Sequence, residues 1–206
     1  MSSQMQKRRY RKRRRAELEA QTRERIAAAA VGLHGAIGPA RTTVSAVAKE
    51  AGVQRATVYR HFPTEEALFE ACSAHYWARH PRPDPARWRE IADPHVRLRH
   101  ALAETYRFYA DTEQMLERTS RDAPLVPSMS AAVQRFQAYL RELREALIRG
   151  RPERGRRRER VVAAIGHALS FGTWQSLVRQ QGLDTDEAVE LMVGLIQSAG
   201  ERARAL

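Results

Sequence analysis

The sequence predicts an all-α protein, with a small three-helix domain at its N-terminal end joined to a larger helical domain. Three observations lead there. Apolar residues recur three and four positions apart over most of the 206 residues, and alternating apolar–polar runs are scarce. No Asn-Gly or Asp-Gly dipeptide offers a hairpin turn. The proline-dense stretch from His80 to Pro85 divides the chain between the two helical regions.

Residues 1–15 are read as a basic, disordered arm. Lys7, Arg8, Arg9, Arg11, Lys12, Arg13, Arg14 and Arg15 face no acid there and carry eight of the twelve net positive charges. The first helix is expected over about 17–36, with Ile26, Ala30 and Leu33 on one side; Gly35, Gly38 and Pro39 then stop it. Thr43 caps a short helix, Val44–Ala51, and Gly52 takes the left-handed turn position that follows. Arg55–Phe62 is a second short helix. Thr64, with Glu65 and Glu66 behind it, opens a fourth that runs to about Arg79. The expected domains are thus 16–63, a connecting helix and linker over 64–85, and a helical domain over 86–206.

In that last region helices are expected at about 94–121, with a possible break near Asp111, and at 129–149, 157–181 and 185–203. Val133, Phe136, Leu140, Leu143 and Leu147 make one apolar stripe on the second. Asp184 and Glu187 have the spacing of a capping box for the last. Arg149–Arg160 holds seven arginines against Glu153 and Glu159 and reads as an exposed loop or a frayed helix start.

Charge narrows the partners. A formal charge of +12 and a pI near 10.8 favour a polyanion. The basic segment is followed by Ala16-Glu17-Leu18-Glu19 rather than an apolar run, which argues against export. No stretch is long and apolar enough for a membrane span. Cys72 is alone and suits a reducing cytoplasm, where the chain is expected to act. No metal site, cofactor or catalytic residue is expected. Phosphate-loop, dinucleotide and nucleophile-elbow motifs are missing, and the seven histidines include no pair four apart.

The segment Thr43–Phe62 carries the most information. Two short helices crossing steeply need a small residue at the crossing; Ala48 supplies it, Gly52 makes the turn, and Val47, Val53 and Val58 form the shared core. Arg55, Thr57, Tyr59, Arg60 and His61 then offer hydroxyl, guanidinium and imidazole groups suited to phosphates and base edges in a major groove. Arg11, Lys12, Arg13, Arg14 and Arg15 are the expected contacts of the arm in an adjacent minor groove.

From Ile26 to Phe69, and above all in Gly52-Val53 followed by Tyr59-Arg60-His61-Phe62-Pro63, the sequence resembles the DNA-binding domain of the TetR (tetracycline-repressor) family. The resemblance implies a helix-turn-helix domain joined to a larger ligand-binding and dimerisation domain. It implies phosphate contacts from Thr43, Thr57, Tyr59 and His61, and base contacts from Arg55, Ala56 and Arg60. One departure is Glu65, where the family commonly has Lys. It also implies a homodimer on operator DNA, held by the last two helices, and release by a small-molecule effector. The inner-face residues available to an effector are Tyr106, Tyr109, Met115, Phe136, Tyr139, His167, Phe171 and Trp174. The competing readings are a non-specific architectural DNA-binding protein and, further off, a helical enzyme with an unrecognised site.

Overall fold

The computed structural model describes residues 2–201; Met1 and residues 202–206, including the expected end of the last helix at 203, lie outside them. No strand occurs among the described residues. The helices are α1 Ser2–Ile37, α2 Val44–Glu50, α3 Arg55–His61, α4 Glu65–Arg79, α5 Pro85–Trp88, α6 Pro94–Asp122, α7 Ser130–Ile148, α8 Gly155–Ala168, α9 Phe171–Gln175 and α10 Thr185–Gly200. They sort into two compact units: residues up to Arg79 with Glu117–Val133, and His80–Leu116 with Gln134–Leu206.

The first unit is organised around one apolar cluster. Ile26 and Ala30 of α1 meet Val47 and Ala48 of α2, Val58 of α3, Phe62, and Leu68 and Cys72 of α4. Burying a side chain of Val or Phe size stabilises by roughly 1.5–3 kcal/mol, which is what holds two seven-residue helices that are too short to persist alone. Their ends are placed by local chemistry. Thr43 Oγ1 accepts from Ala46 N at 3.1 Å, and Thr64 Oγ1 accepts from Ala67 N at 3.2 Å. Gly52 has φ +64°, the left-handed value its position after α2 requires. Residues 117–133, which the sequence assigns to the C-terminal domain, belong to this unit; Ser128 Oγ donates to Glu65 Oε2 at 3.1 Å.

The basic N-terminal segment is a correction. It is not a disordered arm but the opening turns of α1, exposed from Met5 through Gln21. Arginine, lysine, glutamine and methionine are good helix formers. Arg13–Glu17 and Arg15–Glu19 ion pairs four residues apart offset part of the repulsion between like charges.

In the second unit α6 runs unbroken past Asp111. The stretch expected as one helix over 157–181 is broken at Leu169 and Ser170, with a π-helical turn at Ser176–Gln180. Tyr106 Oη donates to Ala168 O at 3.1 Å and Tyr109 Oη to Leu169 O at 2.5 Å, so carbonyls freed by the break are satisfied from α6. The α10 capping box is present: Glu187 N donates to Asp184 Oδ1 and Asp184 N to Glu187 Oε2. No single helix is long and apolar enough to cross a membrane among the described residues.

Candidate nucleic-acid interface

Val58 and Phe62 are buried on α3 and at its end, and Thr57 and His61 are half-buried beside them. Periodicity then leaves Arg55, Ala56, Tyr59 and Arg60 on the solvent side, with Tyr59 48% exposed despite its size. A large aromatic held in water on a two-turn helix gains nothing from burial, so its hydroxyl and ring are available to another molecule. Thr43 is exposed at the N-terminus of α2, its oxygen committed to Ala46 N while its proton stays free to donate. The sequence-expected groups Thr43, Arg55, Ala56, Thr57, Tyr59, Arg60 and His61 thus come from α3 and from the cap of the helix packed against it.

One supporting group escaped the sequence reading. Arg23 of α1 donates from Nη1 to His61 O at 2.6 Å and lies 4.2 Å above the Phe62 ring. It ties the C-terminal end of α3 to α1, where a cation also suits the helix dipole. Only a separation of 38 residues between partners hid it. Glu65, the departure from the family pattern, accepts from Ser128 and so has a structural partner within its own unit.

The basic residues Arg11, Lys12, Arg13, Arg14 and Arg15 are exposed on the same helix as Arg23. At about 100° per residue, Lys7, Arg8, Arg11, Lys12, Arg14 and Arg15 share an arc of roughly 160°. That arc overlaps the direction in which Ile26, Ala29 and Ala30 face the helix-turn-helix core.

The model of bacterial regulatory proteins of the tetR family matches residues 26–72. This N-terminal domain is a TetR-family DNA-binding domain. The TetR fold extends beyond the matched segment. A TetR-like transcriptional regulator from Rhodococcus sp. RHA1 is similar over 87% of this chain and 97% of its own, at TM-score 0.59 and 19% identity. NalD of Pseudomonas aeruginosa, the secondary repressor of the MexAB-OprM multidrug efflux pump, is similar over 89% and 97%, at TM-score 0.60 and 20% identity. A TetR transcription regulator from Haloarcula marismortui is similar over 88% and 97%, at TM-score 0.59 and 20% identity. No curated protein matches by sequence. The matched model describes bacterial regulatory proteins.

Of the effector candidates, four rings pack together. Tyr109 lies 6.4 Å from Tyr106, 5.5 Å from Phe171 and 6.1 Å from Trp174, and Phe171 lies 5.5 Å from Trp174. Phe136 and Tyr139 pair with each other, and Tyr139 Oη donates to Pro83 O at 2.9 Å. Burial pushes the tyrosine hydroxyls of Tyr106, Tyr109 and Tyr139 above their ordinary range, so all three stay protonated donors. His167 is a correction: it is exposed on α8, within 3.3 Å of Thr173 Oγ1, not on an inner face. Val161, Ile165 and Ala168 make the buried side of α8, and at about 100° per residue His167 lies roughly 130° away from it. Trp174 Nε1 is buried without a partner, and so is Oγ1 of Thr105, a residue not singled out in the sequence.

Proposed function

We propose that this TetR-family protein is a cytoplasmic, homodimeric repressor that reads a two-fold operator with α3 and leaves it when a small molecule enters the C-terminal domain. The observation that carries the reading is the division of α3: Val58 and Phe62 anchor it while Arg55, Ala56, Tyr59 and Arg60 are presented to solvent. Such an anchored helix with a polar outer side matches what a major groove accepts. Thr43, Thr57, Tyr59 and His61 take phosphates, and Arg55, Ala56 and Arg60 face bases. Two copies are needed because one helix of seven residues makes too few contacts; half-sites then lie about 34–36 Å apart.

The homodimer forms through α8 and α10. Leu191 and Leu195 are exposed on α10 at the flank of the side that buries Met192, Val193 and Ile196. For the effector, Tyr106, Tyr109, Phe171 and Trp174 offer an aromatic wall. The buried, unpartnered Trp174 N–H supports this placement, because an orphaned donor is costly until something accepts from it.

The test is fluorescence anisotropy with the duplex flanking the protein's own gene, with random duplex as competitor. Selective binding should survive roughly 10³-fold excess random DNA and be lost in a Thr57→Ala, Tyr59→Phe double variant. Equal competition by random DNA would establish the architectural reading instead.

A further inference from the structure

The arginine-rich segment between α7 and α8 has a structure that DNA reading does not use. Arg149, Arg151, Arg154 and Arg158 line a cleft of about 590 Å³ with Ile148, and Glu145 is the lone acid in its wall. Glu153 pairs with Arg151, and the remaining guanidiniums keep the opening positive and attractive to an anion.

Arg151 is the decisive side chain. It is only 3% exposed, donates from Nε to Leu147 O at 3.3 Å, and pairs through Nη1 with Glu153 Oε1 at 3.2 Å. Its Nη2 is buried with no partner. Glu153 thus matches the charge of Arg151, and what remains is one guanidinium N–H without an acceptor, a cost that an incoming oxygen would remove. Beneath the loop lies a second buried arginine. Arg97 donates to Ile91 O and to Arg149 O, and its Nε is likewise unpartnered. Burial, then the nearby Arg151 and Arg149, lower its pKa below the ordinary guanidinium value.

The backbone agrees with the side chains. Helix α8 starts at Gly155 with no side-chain cap from Arg154 and no acid in its first turn. Its positive end therefore adds to the arginines rather than being neutralised, which is the arrangement that captures phosphates in other proteins. The space is within the range for organic ligands and exceeds what a lone phosphate fills. The apolar Ile148 and the acceptor Glu145 suit the uncharged, hydroxyl-bearing part of such a ligand.

We propose that this cleft is a binding site for a phosphate-bearing small molecule, its phosphoryl oxygens held by Arg151, Arg154 and Arg158 at the start of α8. The inference holds whichever operator α3 reads.

Titration calorimetry on the full-length protein tests it, with inorganic phosphate, pyrophosphate and glucose 6-phosphate each injected against sodium chloride of matched ionic strength. At least one phosphate compound should bind above the chloride background. An Arg154→Gln, Arg158→Gln double variant, altered at two exposed positions and checked for unchanged helical circular dichroism, should weaken it at least tenfold. An Arg87→Gln, Arg89→Gln variant removes equal charge elsewhere in the unit and should not. Tighter binding of glucose 6-phosphate than of inorganic phosphate assigns the whole cleft to an organic phosphate; equal binding assigns the site to the free ion. No binding beyond chloride, or equal weakening by both double variants, overturns the proposal.

Discussion

Asp122 Oδ2, at the C-terminal end of α6, accepts a hydrogen bond of 3.0 Å from the backbone N–H of Ala40, in the turn that leads from α1 to α2. The carboxylate is 3% exposed and also receives Arg121 Nε at 2.7 Å. Gly38, beside Ala40, has φ +89°, and a Cβ there would collide with this carboxylate. The turn that sets the spacing of α1 and α2 is thus built around one buried acid.

Removing that acid should cost more than the bond itself, because Ala40 N–H would be left unsatisfied. Asp122→Ala is expected to destabilise by about 2 kcal/mol, and Asp122→Asn, which keeps an acceptor, by clearly less. Urea denaturation followed by circular dichroism measures both. Equal losses in the two variants would mean that the acceptor is not what matters. The Arg121 hydrogen bond first, and the Ala40 amide after it, hold the Asp122 pKa below the usual carboxylate value. Its contribution is therefore present above pH 3.8 and is lost only as pH falls through that depressed value.

His34 sets a different pH window. It is buried at the end of α1 with its ring stacked 5.0 Å from Phe69. Burial pushes the imidazole down to about 4, partly opposed by the charge of Asp122. The unfolded chain takes up the proton near pH 6.5 and the folded chain only near 4. Stability is then full above pH 6.5 and falls between those values, by about 3 kcal/mol in total. His34→Phe keeps the stacking and removes the proton uptake, so its urea midpoint should be flat across this window. A midpoint that falls as steeply as in the parent protein would place the acid sensitivity elsewhere.

Much of the first unit was legible because its determinants are local. Thr43 and Thr64 as caps, Gly52 as the left-handed stop and Ala48 at the crossing all act within a few residues of the helix they shape. What escaped is carried by partners far apart. The carbonyls at the 169–170 break are met by Tyr106 and Tyr109, 62 and 60 residues away, so periodicity alone gives one long helix. The basic segment misled for another reason: charge density argued for disorder, whereas propensity and two pairs to Glu17 and Glu19 favour a helix.

Arg23 offers a test of how firmly α3 must be held. It touches the end of α3 through His61 O and the Phe62 ring. Arg23→Ala should loosen the end of α3 and weaken operator binding about tenfold, equivalent to one charge-assisted hydrogen bond removed. Arg23→Lys, which keeps the charge but not the planar stacking, should fall between. A direct phosphate contact would instead change the salt dependence of binding, and for Arg23→Ala that slope is expected to stay put.

Leu195 is 53% exposed on α10 in the single chain, next to Gly194 and one turn beyond Leu191. Small and apolar residues in that row let a second copy approach closely. Introducing Leu195→Arg would bury an unpaired charge in the proposed dimer and should give monomers in sedimentation velocity, with the helical content unchanged. A dimer that persists would move the interface off this face of α10.

The helical start of α1 changes what its arginines are expected to do. A flexible arm can follow a groove, whereas a helix rooted at Arg23 carries its charges outward in a set direction, about 1.5 Å per residue. Its side chains are then expected to meet backbone phosphates beside the proposed half-site rather than base edges. Deleting residues 2–15 should remove helical circular dichroism and reduce the log–log salt slope of operator binding by about 0.9 for each phosphate that is no longer neutralised. Selectivity among operator sequences should stay nearly constant, because phosphates carry no sequence information. A deletion that leaves the salt slope intact would mean this helix never reaches the duplex, and one that relaxes sequence preference would mean it reads bases.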